Sequence, residues 1–345
     1  MNIFITGGAG FIGSHLAERF LALKCNVTVI DDLSTGSMRN IAHLKSSPEF
    51  SYYIESVFNE PLVSELVDSC DIVYHLAAAV GVRMIVERAV HTLETNVHGT
   101  EIVLRAAAKK KKRVVLASTS EVYGKNGNVP YREDADSVLG PTTVNRWSYA
   151  CSKALDEFLA MAYWRERKTP ITVARFFNTV GPRQSGQYGM VVPTFVGQAL
   201  CSEPITVYGS GEQSRCFGYV GDTVEAMVRM ANCTAVIGEI VNVGNDEEVT
   251  INELAKRVKE ATHSCSPIIH VPYAQAYGPG FEDMFRRVPA LAKLEQLIGF
   301  RPRTCLDDII RSVIEDVRER YAVAARASAA LAASQPAAAP AAAVA

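Results

Sequence analysis

The chain begins with Met1-Asn-Ile-Phe-Ile-Thr-Gly7-Gly-Ala-Gly10-Phe-Ile-Gly13. The apolar run before Gly7 predicts a buried strand, and residues 14–23 continue at helical period, so the glycines join a strand to a helix. Glycine permits the tight turn and the close approach of the backbone to a pyrophosphate, and the helix N-terminus supplies amide donors. This stretch therefore predicts a dinucleotide-binding site at the start of an α/β fold.

An acidic pair, Asp31 and Asp32, ends the next apolar run. The Asp31 carboxylate should accept hydrogen bonds from the adenosine ribose, and it would repel a 2′-phosphate because no arginine follows nearby to offset its charge. The sequence therefore predicts NAD rather than NADP as the cofactor. The residues expected to hold it in this part of the chain are Gly7, Gly10, Phe11, Ile12, Gly13, Asp31, Asp32, Ser34, Thr35 and Gly36.

Strand-like runs alternate with segments of helical period, which predicts an α/β protein with a Rossmann-type, doubly wound parallel sheet. The predicted strands are Asn2–Thr6, Asn26–Ile30, Tyr52–Glu55, Ile72–Leu76, Val114–Ser118 and Ile171–Arg175. We expect residues 1–180 to form the NAD-binding domain, with some later elements returning to it. Residues 181–322 are expected to form a smaller, mixed α/β substrate-binding region, and the Ala/Pro-rich tail 323–345 to be disordered.

Composition excludes several classes of protein. The net charge of −2 argues against a general nucleic-acid binder. Eight cysteines without a C-x-x-C pair argue against a zinc site and favour a reducing compartment, so no metal is expected. No apolar stretch reaches the roughly 18 residues of a membrane span. Because the first strand begins at Met1, no signal peptide is expected, and the protein is predicted to be cytoplasmic.

A second pattern concerns proton transfer. Tyr149 and Lys153 lie four residues apart on a predicted helix. Tyrosine is a poor base at neutral pH, but a lysine ammonium on the same helical face would stabilise the phenolate. Thr119 follows a predicted strand and could share the proton of a substrate hydroxyl. With the dinucleotide site upstream, these residues predict hydride transfer coupled to removal of a hydroxyl proton by Tyr149.

The glycine pattern together with Tyr149 and Lys153 resembles the extended short-chain dehydrogenase/reductase family from residue 1 to about residue 320. The resemblance implies a UDP-sugar substrate and a homodimer formed through the Tyr149 helix and a helix near Thr92–Lys110. His75 is expected to be a core histidine without a catalytic role. The resemblance further implies cofactor contacts from Leu76, Ala77, Ala78, Asn96 and Ser118, and substrate contacts from Ser120, Asn178, Val191, Val192, Tyr208, Arg215 and Arg287.

Several segments resemble the UDP-glucuronate decarboxylase branch of that family, namely Ser118-Thr-Ser-Glu-Val-Tyr-Gly, Asn145-Arg-Trp-Ser-Tyr-Ala-Cys-Ser-Lys, Val241-Asn-Val-Gly-Asn and Tyr277-Gly-Pro-Gly-Phe-Glu-Asp. In that branch, the positions of Glu121 and Arg287 carry an acid and an arginine specific to decarboxylation. Met190 departs from the pattern, since decarboxylases often have an arginine there. UDP-glucuronate decarboxylation is therefore expected. The alternatives are a UDP-sugar 4-epimerase, a 4,6-dehydratase and a non-catalytic NAD-binding scaffold.

Overall fold

A computed structural model of the chain describes residues 1–81, 88–186, 189–277 and 282–334. Its strands are β1 Asn2–Thr6, β2 Asn26–Asp31, β3 Phe50–Ile54, β4 Ile72–His75, β5 Arg113–Thr119, β6 Ile171–Phe176, β7 Thr179–Val180, β8 Ile205–Tyr208, β9 Ser214–Cys216, β10 Gly218–Tyr219, β11 Ile240–Val243, β12 Glu248–Thr250 and β13 Ile268–Val271. The helices are α1 Phe11–Ala22, α2 Glu60–Ser69, α3 Ala89–Lys109, α4 Arg146–Arg167, α5 Val191–Leu200, α6 Val220–Ala231, α7 Ile251–Thr262, α8 Tyr273–Tyr277, α9 Ala292–Ile298 and α10 Leu306–Ser334.

The central sheet has seven strands in the order β11-β6-β5-β4-β1-β2-β3, and all neighbours are parallel. The order reverses direction at β1, which has β2 on one side and β4 on the other. Ligands of open α/β sheets bind outside the carboxyl ends of the strands at such a reversal. The predicted doubly wound fold is therefore confirmed, and the predicted cofactor residues lie at this place in it.

Helices cover both faces of the sheet, and β1 shows why. Ile3 and Ile5 point to one face, where they belong to an apolar cluster that contains Leu16 of α1 and Met227 of α6. Phe4 points to the other face, into a cluster built from α2, α3 and α4. A strand buried on both faces reads as a continuous apolar run, which is the pattern that predicted β1.

The later half of the chain contributes both to this sheet and to a second apolar cluster. β11 pairs with β6 at the edge of the sheet, so this late strand returns to the first region. The second cluster joins α5, α7 and α10 around side chains such as Phe195, Leu254 and Ile310. Beside it, β8 and β13 form a separate parallel pair.

The last helix continues past residue 323, where the tail was expected to begin. α10 continues to Ser334 and so includes residues 323–334, which were expected to be disordered. Alanine has the highest helix propensity, so an alanine-rich segment that follows a packed helix extends it. Residues 335–345, the rest of the predicted tail, lie outside the described residues. Within the described ranges, no helix has both the length and the apolar character that a membrane crossing requires.

The junction of β1 and α1 depends on the absence of a side chain at Gly13. A Cβ atom there would lie 2.1 Å from the Gly7 carbonyl oxygen, which is backbone and cannot rotate away. Gly13→Ala should therefore lower the free energy of unfolding by about 1–3 kcal/mol, the usual cost of overpacking, and should weaken dinucleotide binding. Denaturant unfolding and cofactor titration measure both effects. Gly127→Ala is the control, because a Cβ at Gly127 meets nothing within 4 Å. Equal stability of the two variants would contradict this account.

Candidate active site

The glycine turn forms a cradle at the carboxyl end of β1. Gly7 adopts a left-handed conformation with φ of +71°, and its N–H donates to the Ile30 carbonyl over 2.8 Å. Gly10 is the N-cap of α1, and no side chain caps the helix there. The first amides of α1 are thus left for a ligand, and an anion is favoured at this end of a helix. The cradle fits a dinucleotide pyrophosphate.

Asp31 lies at the end of β2 next to this cradle and is buried. Its Oδ2 accepts from the Ala9 N–H and its Oδ1 from the Leu33 N–H, each over 2.9 Å. Each carboxylate oxygen can still accept another hydrogen bond, as a ribose requires. Burial raises the pKa of Asp31, and these two backbone bonds oppose the increase. Asp32 Oδ1 accepts from the N–H of Ser34, which begins the loop containing Thr35 and Gly36.

The other predicted cofactor residues follow β4 and β5. Leu76, Ala77 and Ala78 come directly after β4, and Ala77 faces Gly7, where an added Cβ would lie 2.8 Å from the Ala77 nitrogen. Asn96 is buried and accepts from the Ala79 N–H over 2.8 Å. Ser118 donates to Glu157 over 2.5 Å, so its hydroxyl is already engaged within the protein. The cofactor contacts expected of these residues stay predictions.

His75 ends β4 and is buried between two threonines. Its Nδ1 lies 2.7 Å from the Thr6 hydroxyl oxygen, and its Nε2 lies 3.1 Å from the Thr100 hydroxyl oxygen. Burial lowers the pKa of His75 to about 3, so the ring is neutral at physiological pH. Both ring nitrogens have protein partners, as the core role expected from the sequence requires.

Tyr149 and Thr119 meet at the carboxyl end of β5. Tyr149 and Lys153 both lie on α4, and the Tyr149 hydroxyl hydrogen bonds with the Thr119 side chain. Burial raises the pKa of Tyr149 well above its ordinary value, and the charges of Glu121 and Asp156 act in the same direction. Thr119 and Tyr149 are therefore brought together, with Lys153 four residues further along α4, and the phenol is held in its protonated form.

Lys153 has a partner that the sequence argument overlooked. Its ammonium lies 2.8 Å from Asp156 Oδ2, and the side chains of both residues are buried. Burial opposes ionisation of Tyr149, and the charge of Asp156 acts in the same direction. The expected stabilisation of the phenolate by Lys153 and a bound nicotinamide stays a prediction. The signal was present, since Asp156 follows Lys153 by three residues, a spacing that places side chains together on a helix.

Glu121 lies in a short 3₁₀ turn, Ser120–Tyr123, directly after β5, and two arginines hold its carboxylate. Arg287 Nη2 donates to Oε1 over 2.9 Å, and Arg146 Nη1 donates to Oε2. Burial alone would raise the pKa of Glu121, but the charges of Arg146 and Arg287 outweigh it and hold the pKa below its ordinary value. Glu121 and Arg287, both expected in the site, therefore form an ion pair, whereas Arg146 was not among the predicted residues.

The remaining arginine, Arg215 on β9, belongs to the same group of side chains. Its Nη2 lies 2.7 Å from Asp283 Oδ2, and Asp283 Oδ1 lies 3.9 Å from Arg146 Nη2. Arg287 Nη1 also donates to the amide oxygen of Asn178 over 3.3 Å. We call this set the acid–arginine cluster; it consists of Glu121, Arg146, Arg215, Asp283 and Arg287. The structure therefore brings together Glu121, Asn178, Arg215 and Arg287, which the sequence had placed in one site.

Four other predicted substrate residues differ in accessibility. The Ser120 hydroxyl oxygen is buried, and nothing in the described part of the chain hydrogen bonds to it. Val192 is fully buried in the second apolar cluster, so its side chain packs the protein interior, whereas Val191 is partly buried. Tyr208 ends β8 and is 39% exposed. Their contacts with a nucleotide sugar stay predictions.

One predicted motif is only partly described, and a metal site was not expected. Residues 278–281 of the segment beginning at Tyr277 lie outside the described residues. Among the residues that the structure does describe, no three His, Cys, Asp or Glu side chains are gathered where they could hold a metal ion.

Comparison with known proteins gives one family and several relatives. Residues 4–313 match the family model described as GDP-mannose 4,6 dehydratase. The chain is 41% identical over 316 residues to UDP-N-acetyl-alpha-D-glucosaminuronate decarboxylase of Bacillus cytotoxicus, covering 91% of this chain and 97% of that protein. It is 37% identical to UDP-glucuronic acid decarboxylase 4 of Arabidopsis thaliana, covering 93% and 69%.

Solved structures of similar fold include an epimerase. The UDP-glucuronic acid 4-epimerase from Bacillus cereus, in complex with UDP-glucuronic acid and NAD, aligns with a TM-score of 0.84 and 27% identity. The alignment covers 93% of this chain and all of that one.

The buried, neutral state of His75 makes stability depend on pH. In the unfolded chain, the His75 ring takes up a proton near its ordinary pKa of 6.5, whereas in the folded protein burial lowers the pKa to about 3. The unfolded state therefore binds more protons between these values, and stability is lost as pH falls below about 6.5, by up to ~1.4 kcal/mol per pH unit. His75→Gln removes this dependence, so the stability gap between wild type and variant should narrow from pH 7 to pH 5. Urea unfolding measures the gap.

The matched control for this prediction is His98→Gln. His98 is exposed beside Glu101, so its replacement should leave the pH dependence of stability close to that of the wild type. A gap between wild type and His75→Gln that stays constant with pH would show that His75 does not contribute in this way.

Proposed function

We propose that this chain, which belongs to the extended short-chain dehydrogenase/reductase family of nucleotide-sugar enzymes, is an NAD-dependent decarboxylase of UDP-glucuronate. The observation that carries the proposal is the buried Glu121 carboxylate held by Arg146 and Arg287, close enough to raise the pKa of Tyr149. A substrate whose C4 hydroxyl meets Tyr149 would bring its C6 carboxylate to these arginines. The names of the similar decarboxylases agree with such a substrate.

NAD, when bound, supplies the acceptor and later the donor of the C4 hydride, and its positively charged nicotinamide favours the phenolate. The residues that would hold it are the backbone around Gly7, Gly10 and Gly13 and the carboxylate of Asp31. Because Asp31 is buried and no arginine in the described part of the chain hydrogen bonds to it, a 2′-phosphate would face an uncompensated negative charge. This supports NAD over NADP.

Tyr149 is the group that takes the proton from the C4 hydroxyl. The hydrogen bond between Thr119 and Tyr149 aligns the two hydroxyls so that a substrate hydroxyl can join them. Lys153 is anchored by Asp156 one helical turn away from Tyr149, and its position favours phenolate only while its ammonium remains charged. Because burial raises the pKa of Tyr149, the phenol is protonated in the protein alone, and a bound NAD would favour the phenolate.

With C4 as a ketone, the C6 carboxylate is part of a β-keto acid, which loses carbon dioxide and leaves an enolate. C5 must then receive a proton before C4 is reduced again. Glu121 is ionised while two guanidinium groups contact it. If Arg287 turns to the substrate carboxylate, Glu121 loses one of these charges and its pKa rises. It can then take up from the solvent the one proton that the decarboxylation consumes and give it to C5.

We also infer a homodimer, formed through the α3 and α4 helices. These helices expose large apolar side chains, with Phe158 at 76% and Leu155 at 50% exposure on α4 and Val90 at 70% on α3. Leu155 and Phe158 are three residues apart and so share one face of α4. Apolar faces of this kind mark association surfaces in soluble proteins, and a second copy of the same helix pair is the occupant we infer.

The proposal is tested by product analysis. The protein with NAD is incubated separately with UDP-glucuronate, UDP-N-acetylglucosaminuronate and UDP-glucose, and the products are followed by NMR. We expect UDP-xylose, or its 4-keto intermediate, with release of carbon dioxide from UDP-glucuronate. Interconversion of UDP-glucuronate and UDP-galacturonate with carbon retained would instead support the 4-epimerase, to which the structural likeness to the Bacillus cereus enzyme lends weight. If only UDP-N-acetylglucosaminuronate were decarboxylated, the proposed reaction would stand and the proposed substrate would be wrong.

Tyr149→Phe removes the proton acceptor while leaving the dinucleotide cradle intact. We expect turnover to fall by at least about 10²-fold, the usual contribution of a positioned base, with NAD still bound. Tyr163→Phe on the same helix is the control and should retain activity. Near-normal turnover of Tyr149→Phe would remove Tyr149 from the mechanism.

A further inference from the structure

Arg146 occupies the centre of the acid–arginine cluster. Its side chain is only 2% exposed, and its guanidinium reaches both acids, with Nη1 on Glu121 and Nη2 3.9 Å from Asp283. Arg287 pairs with Glu121, and Arg215 pairs with Asp283. Three guanidinium groups therefore share two carboxylates.

This imbalance leaves the cluster with one excess positive charge in a buried setting. Other buried ion pairs nearby are balanced, since Lys153 pairs with Asp156 and Arg175 with Glu157. Burial lowers the pKa of Arg287 to about 10, and the charges of Arg215 and Arg146 act in the same direction, so its positive charge is unfavourable there. A buried cation without a full counter-charge favours the arrival of an anion.

Arg146 reaches both acids. Burial alone would lower its pKa, but the charges of Glu121 and Asp283 outweigh burial and hold the pKa above its ordinary value. When a substrate carboxylate takes Arg287 and a diphosphate takes Arg215, only Arg146 still contacts both Glu121 and Asp283. If a neutral side chain replaced Arg146, Arg287 would be the remaining counter-charge of Glu121. A substrate carboxylate that arrived at Arg287 would then be repelled by the negative charge of Glu121. The geometry therefore separates two tasks: Arg287 binds the substrate, and Arg146 keeps the protein's own acids neutralised.

We propose that Arg146 is the specificity-determining residue for an anionic sugar, because it supplies the positive charge that allows a C6 carboxylate to enter beside Glu121. The inference rests on the proposed function in that the ligand is a UDP-linked uronate. It does not depend on whether the carboxylate is later lost as carbon dioxide or retained, as in an epimerase. Arg146 acts through Glu121, Asp283 and Arg287, so it is a positioning residue.

The test measures binding and not turnover. Dissociation constants of the NAD-loaded protein for UDP-glucuronate, UDP-glucose and UDP are determined by calorimetry at one pH and ionic strength. Arg146→Gln is compared with the wild-type Arg146, and both proteins also carry Tyr149→Phe so that the ligand is bound but not turned over. The ratio of the UDP-glucose constant to the UDP-glucuronate constant is the uronate preference. We expect Arg146→Gln to reduce this preference by about tenfold or more, as for lost hydrogen bonds to charged groups, while UDP binding stays within about threefold.

Arg286→Gln is the matched control. Arg286 adjoins Arg287 in sequence and also carries a positive charge, but its side chain is half exposed and pairs with Glu248 outside the cluster. Solvent screens such a charge, so the uronate preference of this variant should remain close to that of the wild type. Equal losses in Arg286→Gln and Arg146→Gln would overturn the assignment, because general surface charge would then explain both.

The remaining outcomes separate this inference from the proposed function. A wild-type protein that prefers UDP-glucose, or neither sugar, contradicts the proposed uronate substrate itself. A wild-type preference for UDP-glucuronate that persists in Arg146→Gln overturns the inference alone. If Arg146→Gln fails to bind NAD because the buried Glu121 has lost a partner, Arg146→Lys decides: it keeps the charge and should keep the preference, and a loss as large as tenfold would overturn the proposal.

Discussion

The active site depends on one buried carboxylate, that of Glu157 on α4. Arg175 on β6 holds it in a two-pronged ion pair, with Nε 2.9 Å from Oε1 and Nη2 2.7 Å from Oε2, and Ser118 on β5 donates to Oε1. One side chain thus ties α4 to two adjacent strands. Since α4 carries Tyr149 and Lys153 while β5 ends at Thr119, this contact sets the distance between the proton-transfer groups. Removing one partner of such a pair leaves a buried charge uncompensated, which is strongly destabilising.

Arg175 also connects this ion pair, through Tyr123, to the edge strand β11. The Arg175 guanidinium lies 4.8 Å from the centre of the Tyr123 ring, and the Tyr123 hydroxyl donates to Asn242 on β11 over 2.7 Å. Tyr123 belongs to the turn that carries Glu121. The turn is therefore held in place by the Arg175–Glu157 ion pair, in which the charges cancel. The Glu121 carboxylate on the same turn belongs to the acid–arginine cluster, which has one more positive than negative charge. A rigid, neutral support next to a buried and charged site is the arrangement that electrostatic preorganisation requires.

Periodicity and glycine chemistry were sufficient to predict the fold. Asn2–Thr6 was predicted with its observed bounds, because a strand buried on both faces gives a continuous apolar run, and the other five predicted strands overlap observed ones. β11 was not among the predicted strands, since its short run of alternating apolar residues also suits a loop. The end of α10 was misjudged, because composition indicates disorder while alanine propensity and the preceding packed helix favour continuation.

The partners of the site residues were harder to predict because contacts distant in sequence determine them. Asp283 and Arg287, which contact Arg146, Arg215 and Glu121, lie on a segment that packs beside Tyr131, whose N–H donates to the Val288 carbonyl over 2.8 Å. No local pattern records that pairing. The raised pKa of Tyr149 likewise follows from burial, which spacing on a helix does not reveal. Residue type and spacing predicted candidate site residues, whereas tertiary packing determines the charge that each of them carries.

The acid–arginine cluster also joins the two halves of the chain. Glu121 and Arg146 belong to the first half of the chain, whereas Arg215, Asp283 and Arg287 belong to the second. The Glu121–Arg287 and Arg146–Asp283 ion pairs are therefore contacts between the two halves. A phosphorylated, anionic ligand that bound Arg215 and Arg287 would replace protein carboxylates with its own charges. The guanidinium groups would then be already oriented and already desolvated, so little reorganisation would be needed to receive the ligand. The ion pairs within the protein thus keep the binding groups in place for the ion pairs that a ligand makes.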